Sequence, residues 1–474
     1  MIEGLKPYAE YKESGQKWLG GIPSHWELKP GHAAFAPRKE SNRGMKEKTV
    51  LSLSYGRIKV KATDKQHGLV PESYETYQVV NEGNVIIRGT DLQNDQTSLR
   101  IGLSRNRGII SSAYLCLEAQ PSITPDYGYQ ILNVFDLTKA IYRFGSGLRQ
   151  NLDHGEIKRL PIFLPPLDEQ AAIVRFLDHA NRKIDGFIRA KRKLIGLLNE
   201  QKQAIIHRAV TGKDEVRMVK DENGNSSFIL QPSTLPKKPS GIPWLGDIPM
   251  HWEMRKLRQI LTRKTERNQP NLPLLSVVRE KGVIKRDTEN FEDNHNFIPD
   301  DLSNYKVVRV GQFAMNKMKA WQGSFGVSQF EGIVSPAYFV FDLHHVGGAF
   351  FHTAIRSKAY VPSFTRASDG VRVGQWDLAE SRMRDTTFFV PPSDEQQAIV
   401  ENVAKATATA NTAIARTERE IALMQEYRTR LTADLVTGKL DVREAAAKLP
   451  DLPNETVDTP YEELEELEPE EVEA

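Results

Sequence analysis

WLGGIPSHWEL occupies residues 18–28 and WLGDIPMHWEM occupies residues 244–254, identical at 8 of 11 positions and 226 residues apart. The same offset of 226 joins LPPLDEQAAIV (164–174) to VPPSDEQQAIV (390–400), again identical at 8 of 11, and AVTGK (209–213) to LVTGK (435–439). Three separated matches in one register mean that the chain is two copies of one unit, running from about residue 15 to 213 and from 241 to 439.

Behind each PPxDEQ motif, apolar residues recur at alternating spacings of four and three. In the first copy they are Ile173, Leu177, Ala180, Ile184, Phe187, Leu194, Leu198 and Ile205, interrupted by Lys191 and Gln201. In the second they are Ile399, Val403, Ala406, Ala410, Ala413, Met424, Tyr427 and Leu431, interrupted by Thr417 and Glu420. This is a heptad seam on a long helix. Asp168 and Asp394, each after a Pro-Pro pair, are the expected N-caps, and Gly212 and Gly438 the expected C-terminal stops. Some 42 residues make a rod of roughly 60 Å. Neither seam has a partner in its own copy, so the two helices are expected to pack on each other.

The expected fold class is therefore α+β: two mixed α/β domains, each followed by a long helix, with the helices forming an antiparallel coiled coil of pseudo-twofold symmetry. The expected divisions are 1–163 (first domain with its repeat segment), 164–213 (first helix), 214–240 (a polar linker), 241–389 (second domain), 390–444 (second helix) and 445–474 (an acidic, disordered tail). The globular parts, about 29–163 and 255–389, contain strand-like runs such as GIISSAYLCLE and GIVSPAYFVFD and one helical stretch each.

The net charge of +2 conceals an asymmetry, because residues 451–474 hold eleven Asp or Glu and no Lys or Arg. Without them 64 basic residues face 51 acidic ones, a net +13, and each globular part carries +6. That balance favours a polyanionic partner. The chain has no run of about 18 apolar residues and no apolar N-terminal leader, so it is expected to be cytoplasmic and not to engage a membrane. A single cysteine, Cys116, in an apolar strand-like run excludes an intrachain disulfide and a cysteine-based zinc site.

Reading bases requires side chains that donate or accept in pairs. Corresponding loops offer Arg88, Thr90, Asp91, Gln93, Asn94 and Arg100 in the first copy, and Asn316, Lys317, Lys319, Trp321, Gln322 and Ser324 in the second. A further pair of segments places Arg143, Arg149, Arg366 and Arg372 beside glycines that allow close approach to phosphates.

Catalytic signatures are absent. The two Pro-Pro pairs lack the flanking amide and aromatic residue that hold a flipped adenine, and there is neither a GxxxxGK[ST] nor a GxGxxG phosphate loop. Pro125-Asp126 with Glu156 and Lys158 is a loose match to a metal-dependent nuclease core, but Arg382 stands where Glu156 would recur. His25 and His251, each before a tryptophan, lack clustered partners for a metal.

Taken together, the WLGGIPSHWE, LPPLDEQ and VTGK segments and their repetition resemble the specificity subunit of type I restriction-modification systems, over everything except the acidic tail. The resemblance implies two target-recognition domains, each reading one half of a bipartite double-stranded DNA site, with the repeat helices as spacer. It implies as partners two methylation subunits that carry S-adenosylmethionine, and restriction subunits that use ATP and magnesium. No cofactor or metal is then expected on this chain, nor any catalytic residue. The helices and the SHWE and DEQ segments are the expected docking surfaces. Two other readings are open: a stand-alone metal-dependent DNA nuclease, and a coiled-coil scaffold whose basic domains are incidental.

Overall fold

A computed structural model describes residues 5–16, 18–54, 56–61, 73–90, 92, 99–143, 151–220, 226–286, 298–299, 301–370 and 376–450. The described chain forms two compact units, residues 5–191 with 419–450, and residues 192–418.

The two globular parts repeat one topology strand for strand. In the first unit an antiparallel sheet runs in the order Phe35–Pro37, Leu115–Ala119, Val85–Ile87, Ile101–Leu103. In the second the same order is Leu261–Lys264, Phe339–Leu343, Phe313–Met315, Phe325–Val327. A helix follows the second of these strands in space, Pro125–Leu137 in one case and Gly348–Ile355 in the other. The runs that read as strands do so because their β-branched and aromatic residues fill both faces: Val85, Ile86 and Ile87 are all fully buried, as are Phe313, Ala314 and Met315.

Each long helix is 44 residues, Leu167–Val210 and Ser393–Val436. Both begin one residue before the expected caps, so Asp168 and Asp394 lie in the first turn. There their charge favours the helix N-terminus through its dipole instead of capping an orphan N–H. The C-terminal stops are Schellman motifs. Lys213 N–H donates to Arg208 O (2.9 Å) and Gly212 N–H to Ala209 O (3.3 Å); Lys439 and Gly438 repeat this toward Asp434 (2.8 Å) and Leu435 (3.2 Å). Gly212 and Gly438 have φ of 67° and 76°, the left-handed region that glycine enters without a Cβ penalty.

Each unit takes the first half of one helix and the second half of the other. In the first unit Asp185 pairs with Arg428, and Lys191 with Glu420 at 2.7 Å, so the partner retreats as the first helix advances and the packing is antiparallel. The core there joins Ile173, Leu177 and Ala180 to Leu431, Leu435 and Val436, with Trp26, Phe35, Tyr127 and Phe163 from the globular part. The second unit joins Ala209 and Val210 to Ile399 and Val403, with Trp252, Phe313, Phe351 and Phe388.

Four details of the sequence reading are corrected. Leu194 is 41% exposed and Ala406 is exposed, whereas Thr407 and Thr417 are buried in the seam. Both threonine hydroxyls return to the helix, on Val403 O (2.8 Å) and Ala413 O (2.7 Å), which removes the cost of burying them. The polar interruptions Lys191 and Glu420 are partners of each other. Within 214–240, read as a linker, Asp214–Lys220 and Ser226–Pro232 form an antiparallel hairpin. The tail placed at 445–474 starts later: Arg443–Ala447 is helical and Ala446 is buried against the first unit's core. The expectation of disorder for 451–474 lies outside the described residues.

Candidate nucleic-acid interface

The repeated motifs turn out to be one structural joint, made twice. Strand Glu27–Pro30 pairs with Pro161–Leu164, and Glu253–Lys256 with Thr387–Val390, which brings each HWE segment to the Pro-Pro pair. Glu169, 2% exposed, accepts from Trp26 Nε1 (2.8 Å) and Tyr8 Oη (2.5 Å) and meets His25 Nε2 (2.8 Å). Glu395 meets Trp252 Nε1 (3.0 Å) and His251 Nε2 (2.7 Å). Gln170 accepts the N–H of Thr124 (2.9 Å) and donates to Pro165 O (3.0 Å), tying the Pro-Pro turn to the cap of the domain helix. Gln396 does the same with Gly347 (2.8 Å) and Pro391 O (2.8 Å).

The VTGK glycine of the opposite copy closes the joint. A Cβ on Gly438 would lie 2.4 Å from Pro23 Cδ, and one on Gly212 2.2 Å from Pro249 Cδ. Of the SHWE and DEQ segments, expected as docking surface, Trp26, Trp252 and Glu169 are interior and hold each globular part to two helix segments, whereas Glu27, Asp168, Glu253 and Asp394 are exposed. His25 and His251 remain part-exposed beside their glutamates.

With the repeated motifs absorbed by structure, the remaining candidates lie on the loops of the two globular parts. Arg100 is fully buried. Its Nη1 donates to Arg88 O (3.2 Å) and Thr90 O (2.7 Å), its Nε to Tyr142 Oη (3.3 Å), and its backbone N–H to Asp136 (2.6 Å). It is a clamp and cannot reach a base edge. Burial holds the Asp136 carboxyl above its usual range, although that backbone bond and nearby cations act the other way. Arg88 is half-buried and Thr90 exposed at the mouth of the loop that Arg100 fixes. Asp91, Gln93, Asn94, Arg149 and Arg372, and the side chain of Arg143, lie outside the described residues.

In the second globular part Asn316 and Ser324 are also structural. Asn316 donates to Tyr338 Oη (3.2 Å) and accepts from Met318 N–H (3.1 Å), closing a turn, and Ser324 is 3% exposed where the strand restarts. Lys317 is ion-paired with Asp377. Lys319 is exposed, and Trp321 and Gln322 are half-buried on the turn Ala320–Gln322. The Trp321 carbonyl accepts from Thr365 Oγ1 (2.9 Å), which joins this turn to the helix Val361–Arg366.

Exposed Arg366 lies over the Trp244 ring at 4.1 Å and lines a cleft of about 400 Å³ with Thr365, Ser368, Asp369, Gly370 and Trp376. The Trp376 and Trp321 rings are 5.2 Å apart. Sequence reasoning missed Trp376 and the stacking of Arg366 on Trp244, since both depend on segments far apart in the chain. A guanidinium held over an indole by cation–π attraction retains N–H donors suited to bidentate contact with phosphate or guanine.

Both parts thus bring the same two loops together, through Arg100 and Tyr142 in one and through Trp321 and Thr365 in the other. The nuclease-like carboxylates are engaged locally: Asp126 pairs with Arg105 (2.5 Å), and Glu156 completes a capping box with Asp153. Among the described residues no cluster of side chains could hold a metal ion, and no helix is long and apolar enough to cross a membrane.

No protein-family model and no curated protein matches the chain. Solved structures do. A chain from a structure describing complex assembly and conformational transition of the type I R-M system has a TM-score of 0.50 at 13% identity, over 88% of this chain and 98% of that one. The HsdS subunit from Thermoanaerobacter tengcongensis has a TM-score of 0.36 at 13% identity (90% and 99% covered), and the type I restriction-modification S subunit from M. genitalium 0.32 at 11% (90% and 97%). The first of these likenesses identifies the fold as one used in a type I R-M system, along nearly the whole length of both chains.

Proposed function

We propose that this chain is the DNA-recognition subunit of a type I restriction-modification complex. Its two globular parts read the two halves of a bipartite site, and the long helices set the unread gap. The observation that carries the reading is the duplicated domain, each copy +6 and each bringing the same two loops together, within a fold similar over 88% of the chain to one from a type I R-M structure. In the second half-site Lys319, Gln322 and Arg366 supply donors, with Trp321 and Trp376 as the apolar wall. The chain supplies no chemistry: S-adenosylmethionine belongs to two methylation subunits, and ATP and magnesium to restriction subunits where the host has them.

The test is to express the chain with its methylation subunit and map modified adenines. A single split motif, absent without this chain, is the expected result. Methylation at unrelated sites, or purified chain cutting DNA with magnesium alone, would contradict the proposal.

A further inference from the structure

DNA reading leaves two features unused: one face of the first long helix and the acidic C-terminal segment. Arg175, His179, Arg182, Lys183 and Arg189 fall on one side of the helix by their spacing, with Asp178 and Asp185 along its border, where Asp185 is paired with Arg428. Arg182, Lys183 and Arg189 are exposed, and Arg175 and His179 half-buried. His179 is held below its ordinary pKa by burial and then by Lys183, Arg182 and Arg175. The field on this face is therefore positive.

The second helix does not repeat it. At the offset of 226 the same positions are Glu401, Lys405, Ala408, Thr409 and Ala415, with no net charge. A partner docking alike on both copies has no use for so one-sided a face, so its occupant is present once per chain. One segment meets that condition: residues 451–474, with eleven acidic residues and no basic one. Its root is already on the face. Val442 and Ala446 are buried in the first unit's core, and Arg175 Nη2 donates to the carbonyl of Leu449, two residues before Asp451. From Arg175 to Arg189 the helix rises about 21 Å, well within the reach of roughly 80 Å of an extended 24-residue segment.

We propose that residues 451–474 bind along the Arg175–Arg189 face of the same chain and keep other polyanions off it. Resting here on the proposed function, the segment competes with nonspecific DNA and so raises the ratio of specific to nonspecific binding.

Zero-length carbodiimide coupling of the full chain at low salt, mapped by mass spectrometry, tests the contact directly. Amide bonds from Lys183 to carboxylates of 451–474 are expected, lost at about 0.5 M salt, where screening shortens the reach of charge to a few ångströms. In parallel, a chain ending at Pro450 should bind an unrelated duplex about three- to tenfold more tightly than the full chain at low salt, with the difference closing as salt rises. With Arg182→Glu, Lys183→Glu and Arg189→Glu combined, removing the segment should change nothing. Coupling to lysines elsewhere and not to Lys183 overturns the docking, and unchanged duplex affinity on truncation overturns the exclusion of polyanions. If neither chain binds any duplex, the DNA reading fails, while the coupling map still decides the contact.

Discussion

Arg100 and Arg366 carry the same guanidinium and are given opposite duties by burial. Arg100 spends its donors on two carbonyls and a tyrosine, so Arg100→Ala is expected to destabilise the first unit by about 2–4 kcal/mol through the groups it leaves unpaired. Thermal unfolding checks this, and a variant of unchanged stability would remove the clamp. Arg366→Lys keeps the charge but loses the planar guanidinium held over Trp244, so base preference in the second half-site should relax while the first is untouched. Gln322→Ala should relax one base position by about 1–3 kcal/mol, read from a library of single-base variants. His352 gives a pH prediction. Burial, and then Arg356, lowers its pKa to about 4, and its neutral Nδ1 accepts the Val327 N–H. Between about 6.5 and 4 the unfolded chain binds the proton and the folded one does not. The contribution is therefore present above pH 6.5 and lost as pH falls toward 4, and His352→Gln should flatten that part of the stability profile. At this scale the sequence named candidate loops and could not grade their members, because whether an arginine faces solvent or two carbonyls is decided by strands distant in the chain.

Elements were more legible. Both long helices, their antiparallel pairing and their glycine stops follow from the repeat and the heptad spacing, which are local properties. The seam's exact membership did not, because a threonine that bonds back to its own helix behaves as an apolar residue and a Lys–Glu pair across the seam looks like two defects. The joint that the SHWE and DEQ motifs make was not legible either, because the Trp–Glu hydrogen bonds that close it join segments 143 residues apart. Gly438→Ala tests that joint. A left-handed φ and a Cβ 2.4 Å from Pro23 Cδ should cost about 1–3 kcal/mol, seen as a lower unfolding midpoint. An unchanged midpoint would mean that Pro23 yields freely.

For the molecule as a whole, exchanging residues 255–389 for another domain of the same fold should change one half-site and leave the other, scored by methylation mapping. Both halves changing together would refute independent reading. Adding seven residues to each helix, after Lys191 and after Thr417, keeps the seams in phase and adds about 10 Å. The preferred gap should then grow by roughly three base pairs; an unchanged gap in an active variant would show that the helices are not the ruler. The crossing of helix halves between copies also bears on the order in which the protein is made. Tyr127 and Trp26 leave the ribosome early, yet the residues that close over them, Leu431, Leu435, Val436 and Gly438, are translated some 300 to 400 residues later. Until then the first globular part is an open core awaiting its lid, with contacts separated by some 400 residues, the situation in which folding is slow and exposed apolar surface invites aggregation. A ribosome stalled before residue 431 should therefore carry a first domain that proteases cut readily, and emergence of residues 431–446 should protect a segment made long before.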